Sequence, residues 1–276
     1  MTRILVLVPF ALDDTQIANR SAQTREISLA PEVSFHYRPV KAGPTSFTSP
    51  HDWLLLDIGL FEAGLSAEAD GFDAVVIDTV SDSGADALRS VLDIPVLAPG
   101  RASLLFSLGL GRRFGILAQW QPALARYEKV LDEWGLRSRC AGVDHFDTPP
   151  DFANLLVGKE DTVVPKMEQA CRRLVERGAD VICLGSTTMH QAHGHLSSVL
   201  EVPVVNPGPL SYKLIQMMLA LGLTQSRTAY PRPQAPKPTM ITAMLSAGRL
   251  VNEADDPAHQ PDAGHRDHHG HEDNRG

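Results

Sequence analysis

The chain repeats itself. Residues 3–10 (RILVLVPF) align with 113–120 (RFGILAQW) at an offset of 110, and Asp73–Thr79 (DAVVIDT) with Asp180–Ser186 (DVICLGS) at 107. Leu88–Val96 (LRSVLDIPV) then matches Leu196–Val204 (LSSVLEVPV) at 108, and Pro99-Gly100 matches Pro207-Gly208 at 108. Four matches in one order, at nearly one spacing, restrict the fold to two similar units in tandem.

The repeated segments are short β-branched runs bounded by turn residues. Candidate strands are Arg3–Val8, Val33–Arg38, Ala74–Asp78, Pro95–Leu97, Arg113–Ala118, Arg139–Val143, Asp180–Leu184 and Pro203–Val205. Helical segments are expected at His51–Asp70, Pro122–Trp134, Lys159–Arg177 and Pro209–Leu221. In Lys159–Arg177 the apolar residues Val163, Met167, Ala170, Cys171 and Leu174 recur at three- and four-residue steps, the mark of an amphipathic helix. Apolar strands alternating with helices predict parallel sheets covered on both faces. The expected fold is therefore α/β: two pseudo-symmetric lobes, 1–112 and 113–223, each a four-stranded mainly parallel sheet flanked by helices, with a cleft between them.

Ligands of parallel sheets sit beyond the carboxyl ends of the strands. If the lobes face each other, Thr79 and Ser186 stand on opposite walls of one pocket, and Phe10 pairs with Gln119 and Trp120 after the first strand of each lobe.

Beyond Leu223 the pattern stops. Residues 224–251 read as a proline-rich linker and C-terminal segment, from Tyr230-Pro231-Arg232-Pro233 to Pro238 and on. Residues 252–276 hold no Val, Ile, Leu, Met or aromatic residue and carry a net charge of −5, so a disordered tail is expected. Five of the eleven histidines lie there, a tract able to bind Zn²⁺ or Ni²⁺ loosely.

The net charge of −8 forms no basic stripe, which argues against nucleic acid as a partner. The apolar run Ile4–Val8 is too short to span a bilayer and lacks a signal peptide's flanks, so it reads as a buried strand in a soluble, cytoplasmic protein. The three cysteines, Cys140, Cys171 and Cys183, have no CxxC spacing and fit a reducing compartment.

Asp73–Gly84 (DAVVIDTVSDSG) and Ala179–Met189 (ADVICLGSTTM) resemble the two signature segments of the aspartate/glutamate/hydantoin racemase superfamily, which includes arylmalonate decarboxylases and maleate isomerases. The resemblance covers residues 3–222, and the loop Ser81-Asp82-Ser83-Gly84 is closest to the hydantoin racemase branch. It implies a cofactor-independent, metal-free enzyme acting on a small carboxylate or cyclic amide, assembled as a homo-oligomer. In the family each signature strand ends in a cysteine, and the two thiols exchange a proton with opposite faces of the substrate. Here those positions are Thr79 and Ser186. A thiol of reference pKa about 8.5 can be tuned to ionise near neutrality, whereas a hydroxyl cannot serve as a base without a neighbour to take its proton. Two-thiol racemisation is excluded.

An anion hole can survive that loss. Ser186, Thr187 and Thr188 on one wall, with Thr79, Val80 and Ser81 on the other, could hold a carboxylate or an enolate. His190, one α-helical turn after Ser186, is a candidate general acid or base, or alternatively a helix cap. Metal ligation by the run His190–His195 is the weaker reading, because no carboxylate accompanies it. Asp82 is either a base raised by burial or a helix cap. Gln119 is a neutral donor, and Phe10 and Trp120 form an apolar wall or pack at the lobe interface. The leading expectation is a racemase-like isomerase. The alternatives are a lyase or hydrolase using Ser186 with His190, and a non-catalytic protein that binds a small molecule or metal.

Overall fold

The computed structural model describes residues 1–44, 47–149 and 159–254. In the first lobe the strands are β1 (Thr2–Val8), β2 (Val33–Pro39), β3 (Ala74–Ile77) and β4 (Val96–Leu97). They pair in parallel in the order β2-β1-β3-β4. In the second lobe β5 (Phe114–Ala118), β6 (Cys140–His145), β7 (Val181–Leu184) and β8 (Val204–Val205) adopt the corresponding order β6-β5-β7-β8. The repeat in the sequence is thus a repeat of topology. The inner strands β1, β3, β5 and β7 are almost wholly buried, while the edge strands β2 and β6 are half-buried, as sheets covered on both faces require.

The helices are α1 (Asp14–Ser21), α2 (Pro50–Gly64), α3 (Ala85–Val91), α4 (Pro99–Leu110), α5 (Leu124–Glu133), α6 (Glu160–Glu176), α7 (His193–Val199), α8 (Pro207–Ala220) and α9 (Pro238–Ala254). Local chemistry sets several starts. Asp13 with Gln16 and Ser49 with Asp52 form capping boxes at α1 and α2, and prolines open α2, α4 and α8. Because strand side chains alternate, each sheet has two apolar faces to cover. On the first sheet Leu5, Leu7, Val75 and Ile77 meet Leu56, Leu60 and Ala63 of α2 and Leu88 of α3. On the second, Leu117, Ile182 and Leu184 meet Met167, Ala170 and Leu174 of α6 and Leu196 of α7.

The opposite faces are covered by exchanged helices. Leu104 of α4 packs with Phe114, Ile116, Val181 and Val205 of the second sheet, whereas Tyr212 and Ile215 of α8 pack with Ile4, Val6, Ala74 and Val76 of the first. The two exchanged helices also touch each other. The boundary at Arg112/Arg113 therefore separates the sequence repeats but not the packing. The lobes are interlocked.

The reading of 224–251 as linker needs correction. Gln225 bonds Val96 N (3.2 Å) and the carbonyls of Leu92 (2.8 Å) and Ile94 (3.0 Å), and Arg227 donates to Arg89 O (2.7 Å). Arg232 pairs with Asp93, so the proline-rich stretch is strapped across the first lobe. It then runs into α9, which docks on α2, burying Leu245 and bringing Gly248 close to Ala42. The tail histidines (His259, His265, His268, His269 and His271) lie outside the described residues.

Candidate active site

The loops after the equivalent strands β1, β3, β5 and β7 converge on one cavity between the lobes. Its empty space, open solvent at the mouth included, is about 790 Å³. Phe10, Thr79, Val80, Ser81, Gln119, Trp120, Ser186, Thr187 and Thr188 all line it, so nine of the residues singled out from sequence share this space. Phe10 stacks on Phe47 with ring centroids 5.0 Å apart, and Trp53 and Trp120 add to an apolar wall.

Each wall carries a hydroxyl cluster. Thr79 Oγ1 lies 3.2 Å from Ser81 Oγ, which donates to Ser83 Oγ at 3.0 Å. Across the cavity Ser186 Oγ lies 2.8 Å from Thr188 Oγ1 and accepts from Thr188 N at 3.2 Å. Ser186 caps a short 3₁₀ turn, Thr187–Ala192, from an extended backbone conformation, which is how the end of β7 turns its hydroxyls inward.

Four charged or phenolic residues of the cavity were not anticipated. Asp78, at the end of β3, and Arg20, near the end of α1, form a buried ion pair (Arg20 Nε to Asp78 Oδ2, 2.6 Å). Arg20 Nη2 reaches across the lobes to Thr187 Oγ1 at 2.9 Å, and Thr187 Oγ1 donates to Asp78 O at 3.1 Å. Gln23 Nε2 completes the carboxylate's partners at 3.4 Å. Burial and the nearby Asp78 charge push the Tyr37 phenol upward, and its oxygen lies 2.8 Å from Tyr212 Oη. Tyr127, on α5, donates to Gly185 O at 2.6 Å, and burial raises its phenol too. Arg126, the residue before it, donates to Ser81 O at 2.5 Å and to Ser83 Oγ at 3.3 Å, tying α5 to the loop of the other lobe.

The structure does not bring His190 or Asp82 to the cavity lining. The i+4 argument for His190 assumed an α-helix, whereas at three residues per turn Met189, not His190, falls under Ser186. Met189 N bonds Ser186 O at 3.2 Å and its side chain is fully buried. The other histidines of that run diverge: His193 meets Val204 O at 3.1 Å and His195 meets Glu168 Oε2 at 3.0 Å. Asp82 caps a helix, though not the nearby α3. Its carboxylate accepts from Gly100 N (2.6 Å) and Arg101 N (2.8 Å) in the first turn of α4. No cysteine lines the cavity. Cys183 points into the α4 side of its sheet, and burial pushes both its thiol and that of Cys171 up to about 12.

Burial pushes the Asp82 carboxyl up to about 6, against the opposing pull of its two backbone donors and of Arg89 and Arg101. A folded-state pKa above the unfolded value means the native state holds the extra proton between about pH 4 and 6, so this group lowers stability as pH rises through that window. Asp82→Asn is expected to flatten that part of the stability–pH curve, by up to about 3 kcal/mol, in urea unfolding at pH 4 and pH 7. An unchanged slope would contradict this assignment.

A sequence profile of the Asp/Glu/hydantoin racemase family matches residues 13–214. The hydantoin racemase of Pseudomonas sp. (strain NS671) is 27% identical over 210 residues, 76% of this chain and 83% of the relative. Among solved structures, allantoin racemase from Klebsiella pneumoniae superposes with a TM-score of 0.74 at 25% identity, covering 86% of this chain and 95% of that one. Allantoin racemase from Pseudomonas fluorescens gives 0.75 at 24% identity, covering 86% and 99%. The interlocked pair of parallel sheets and the long profile match agree: the chain belongs to the Asp/Glu/hydantoin racemase family.

Proposed function

We propose that this enzyme is a cofactor-independent isomerase that shifts a proton on a small carboxylate or cyclic amide, with Asp78 as the proton carrier and the two hydroxyl clusters as the anion hole. The reading is supported by one observation: the hydroxyls at the ends of β3 and β7 line a single cavity in which Asp78 is the one carboxylate among the described residues. In the proposed step a C–H bond beside a carbonyl breaks. The proton goes to the Asp78 carboxylate and the electron pair to the carbonyl oxygen. The hydroxyls of Thr79, Ser81, Ser186 and Thr188, with the buried Arg20 behind them, stabilise that oxyanion in a poorly solvated site. Return of the proton from Asp78 to the other face of the planar carbon once the ligand has turned, or to another atom of the delocalised system, completes the shift, and return to the same face gives exchange alone. The hydrolytic alternative is weakened, because His190 is not in the lining to activate Ser186.

The repeat gives the proposal a further edge. Asp78 aligns with Gly185, so the proton carrier stands on one wall alone. Exchange from a single face is expected to outrun inversion, unlike a site with one base on each side. Incubation with hydantoins, amino acids and enoic diacids in D₂O, followed by proton NMR and chiral chromatography, tests this. Deuterium should enter at the carbon beside the carbonyl at least tenfold faster than configuration inverts. No exchange across the panel would sink the proposal.

A further inference from the structure

Resting on the proposed reaction, and narrowing its substrates, we propose that Arg126 is the specificity-determining residue of the cavity and selects ligands bearing a carboxylate. Among the described residues, three that line the cavity are charged: Arg20, Asp78 and Arg126. Arg20 and Asp78 neutralise each other at 2.6 Å. The Arg126 guanidinium forms no ion pair with a carboxylate among the described residues; it meets the cavity beside an aromatic wall, with Asp57, Asp82 and Glu133 farther off in the neighbouring pocket.

That charge is held in place. Nη2 is fixed by Ser81 O and Ser83 Oγ, and the guanidinium carbon lies 5.3 Å from the centroid of the Trp53 ring. Nε is buried with no hydrogen-bond partner among the described residues, an arrangement that costs about 1–3 kcal/mol and that a purely structural tie does not need. Asp57, Asp82 and Glu133 lie close enough to favour the cation, yet burial outweighs them and weakens its hold on the proton. A guanidinium stays charged in proteins, and an anion delivered by the ligand offsets its desolvation. With Nη2 held by Ser81 O and Ser83 Oγ and Nε buried, Nη1 is the nitrogen left to donate a charge-assisted hydrogen bond to a carboxylate oxygen. The ligand that fits has a small ring or apolar body against Phe10, Trp53 and Trp120, a carbonyl toward the hydroxyls, and a carboxylate toward Arg126.

The test is a matched pair of probes, hydantoin-5-acetate and the uncharged hydantoin-5-acetamide, titrated calorimetrically into the full chain. Wild type is expected to bind the acid at least tenfold more tightly than the amide. Arg126→Gln should erase that preference, the acid losing at least tenfold more affinity than the amide, and Arg126→Lys should retain part of it. Equal affinity of wild type for both probes, no binding of either, or an equal loss for both in Arg126→Gln would overturn the proposal. The wild-type comparison decides even if the glutamine variant fails to fold. D₂O exchange on the same samples separates the two claims. Charge preference without exchange leaves this inference standing and removes the proposed reaction, and exchange without charge preference does the reverse.

Discussion

Replacing Asp78 by Asn is expected to abolish proton exchange and to cost about 3–5 kcal/mol of folding stability. Asp78 is 2% exposed and Arg20 8%, so the substitution leaves a buried guanidinium facing Thr187 Oγ1 and one carbonyl without its counter-ion. Breaking a buried pair costs more than the pair itself contributes, because the surviving charge stays out of water. The double variant Arg20→Met/Asp78→Asn removes both charges. It should recover most of the stability while remaining inactive. Urea unfolding and NMR exchange on the three proteins separate the two roles. If the double variant regains exchange, Asp78 is not the proton carrier. If Asp78→Asn alone is as stable as wild type, the pair is not the buried couple described above.

Gly185→Ala is the second large effect. A Cβ there would stand 2.5 Å from Leu117 O and 2.7 Å from Tyr127 Oη. The carbonyl cannot retreat cheaply, since it accepts the 2.8 Å bond from Gly185 N that joins the end of β7 to β5. The clash is with rigid backbone on one side and with the hydroxyl that holds Gly185 O on the other. A loss of about 2–4 kcal/mol is expected, or roughly 4–12 °C in Tm for a chain of this size. Gly194→Ala, whose added Cβ would meet nothing within 4 Å, should change Tm by less than about 2 °C and serves as the control. Equal behaviour of the two variants would contradict the packing at the end of β7.

Much of this molecule was legible before its coordinates. The strands and four helices follow from apolar runs and periodicity, and the repeat located the cavity walls because duplicated strands carry duplicated loops. Thr79 and Ser186 could be matched as counterparts for that reason alone. The exchange of α4 and α8 was not legible: an amphipathic helix declares that it needs an apolar face but not whose face it covers. Helix α9 was hidden by its small apolar contact, chiefly Leu245, inside an otherwise exposed pattern. His190 misled because spacing predicts a direction only when the helix type is known, and the turn after Ser186 is 3₁₀. Arg126 escaped notice because its partner Ser81 comes from the other lobe, and Arg20 because its partners, Asp78 and Thr187, are far away in sequence. Asp78 left one available sign. Its match in the repeat is glycine, and an acid at the end of an apolar strand in one copy alone marks asymmetry in an otherwise symmetric site.

The exchange of helices also bears on how the cavity works. Because each sheet is covered by a helix from the other half, the walls cannot separate without exposing Leu104, Tyr212 and Ile215. The separation of the hydroxyl clusters is therefore tied to that packing, as the proposed anion hole would need.

The most direct measurement is a crystal structure of the chain with hydantoin-5-acetate bound. The account predicts one ligand in the inter-lobe cavity, with a carbonyl oxygen within hydrogen-bond distance of both Thr79 Oγ1 and Ser186 Oγ. A ligand seated against one lobe alone, or in another part of the molecule, would contradict it.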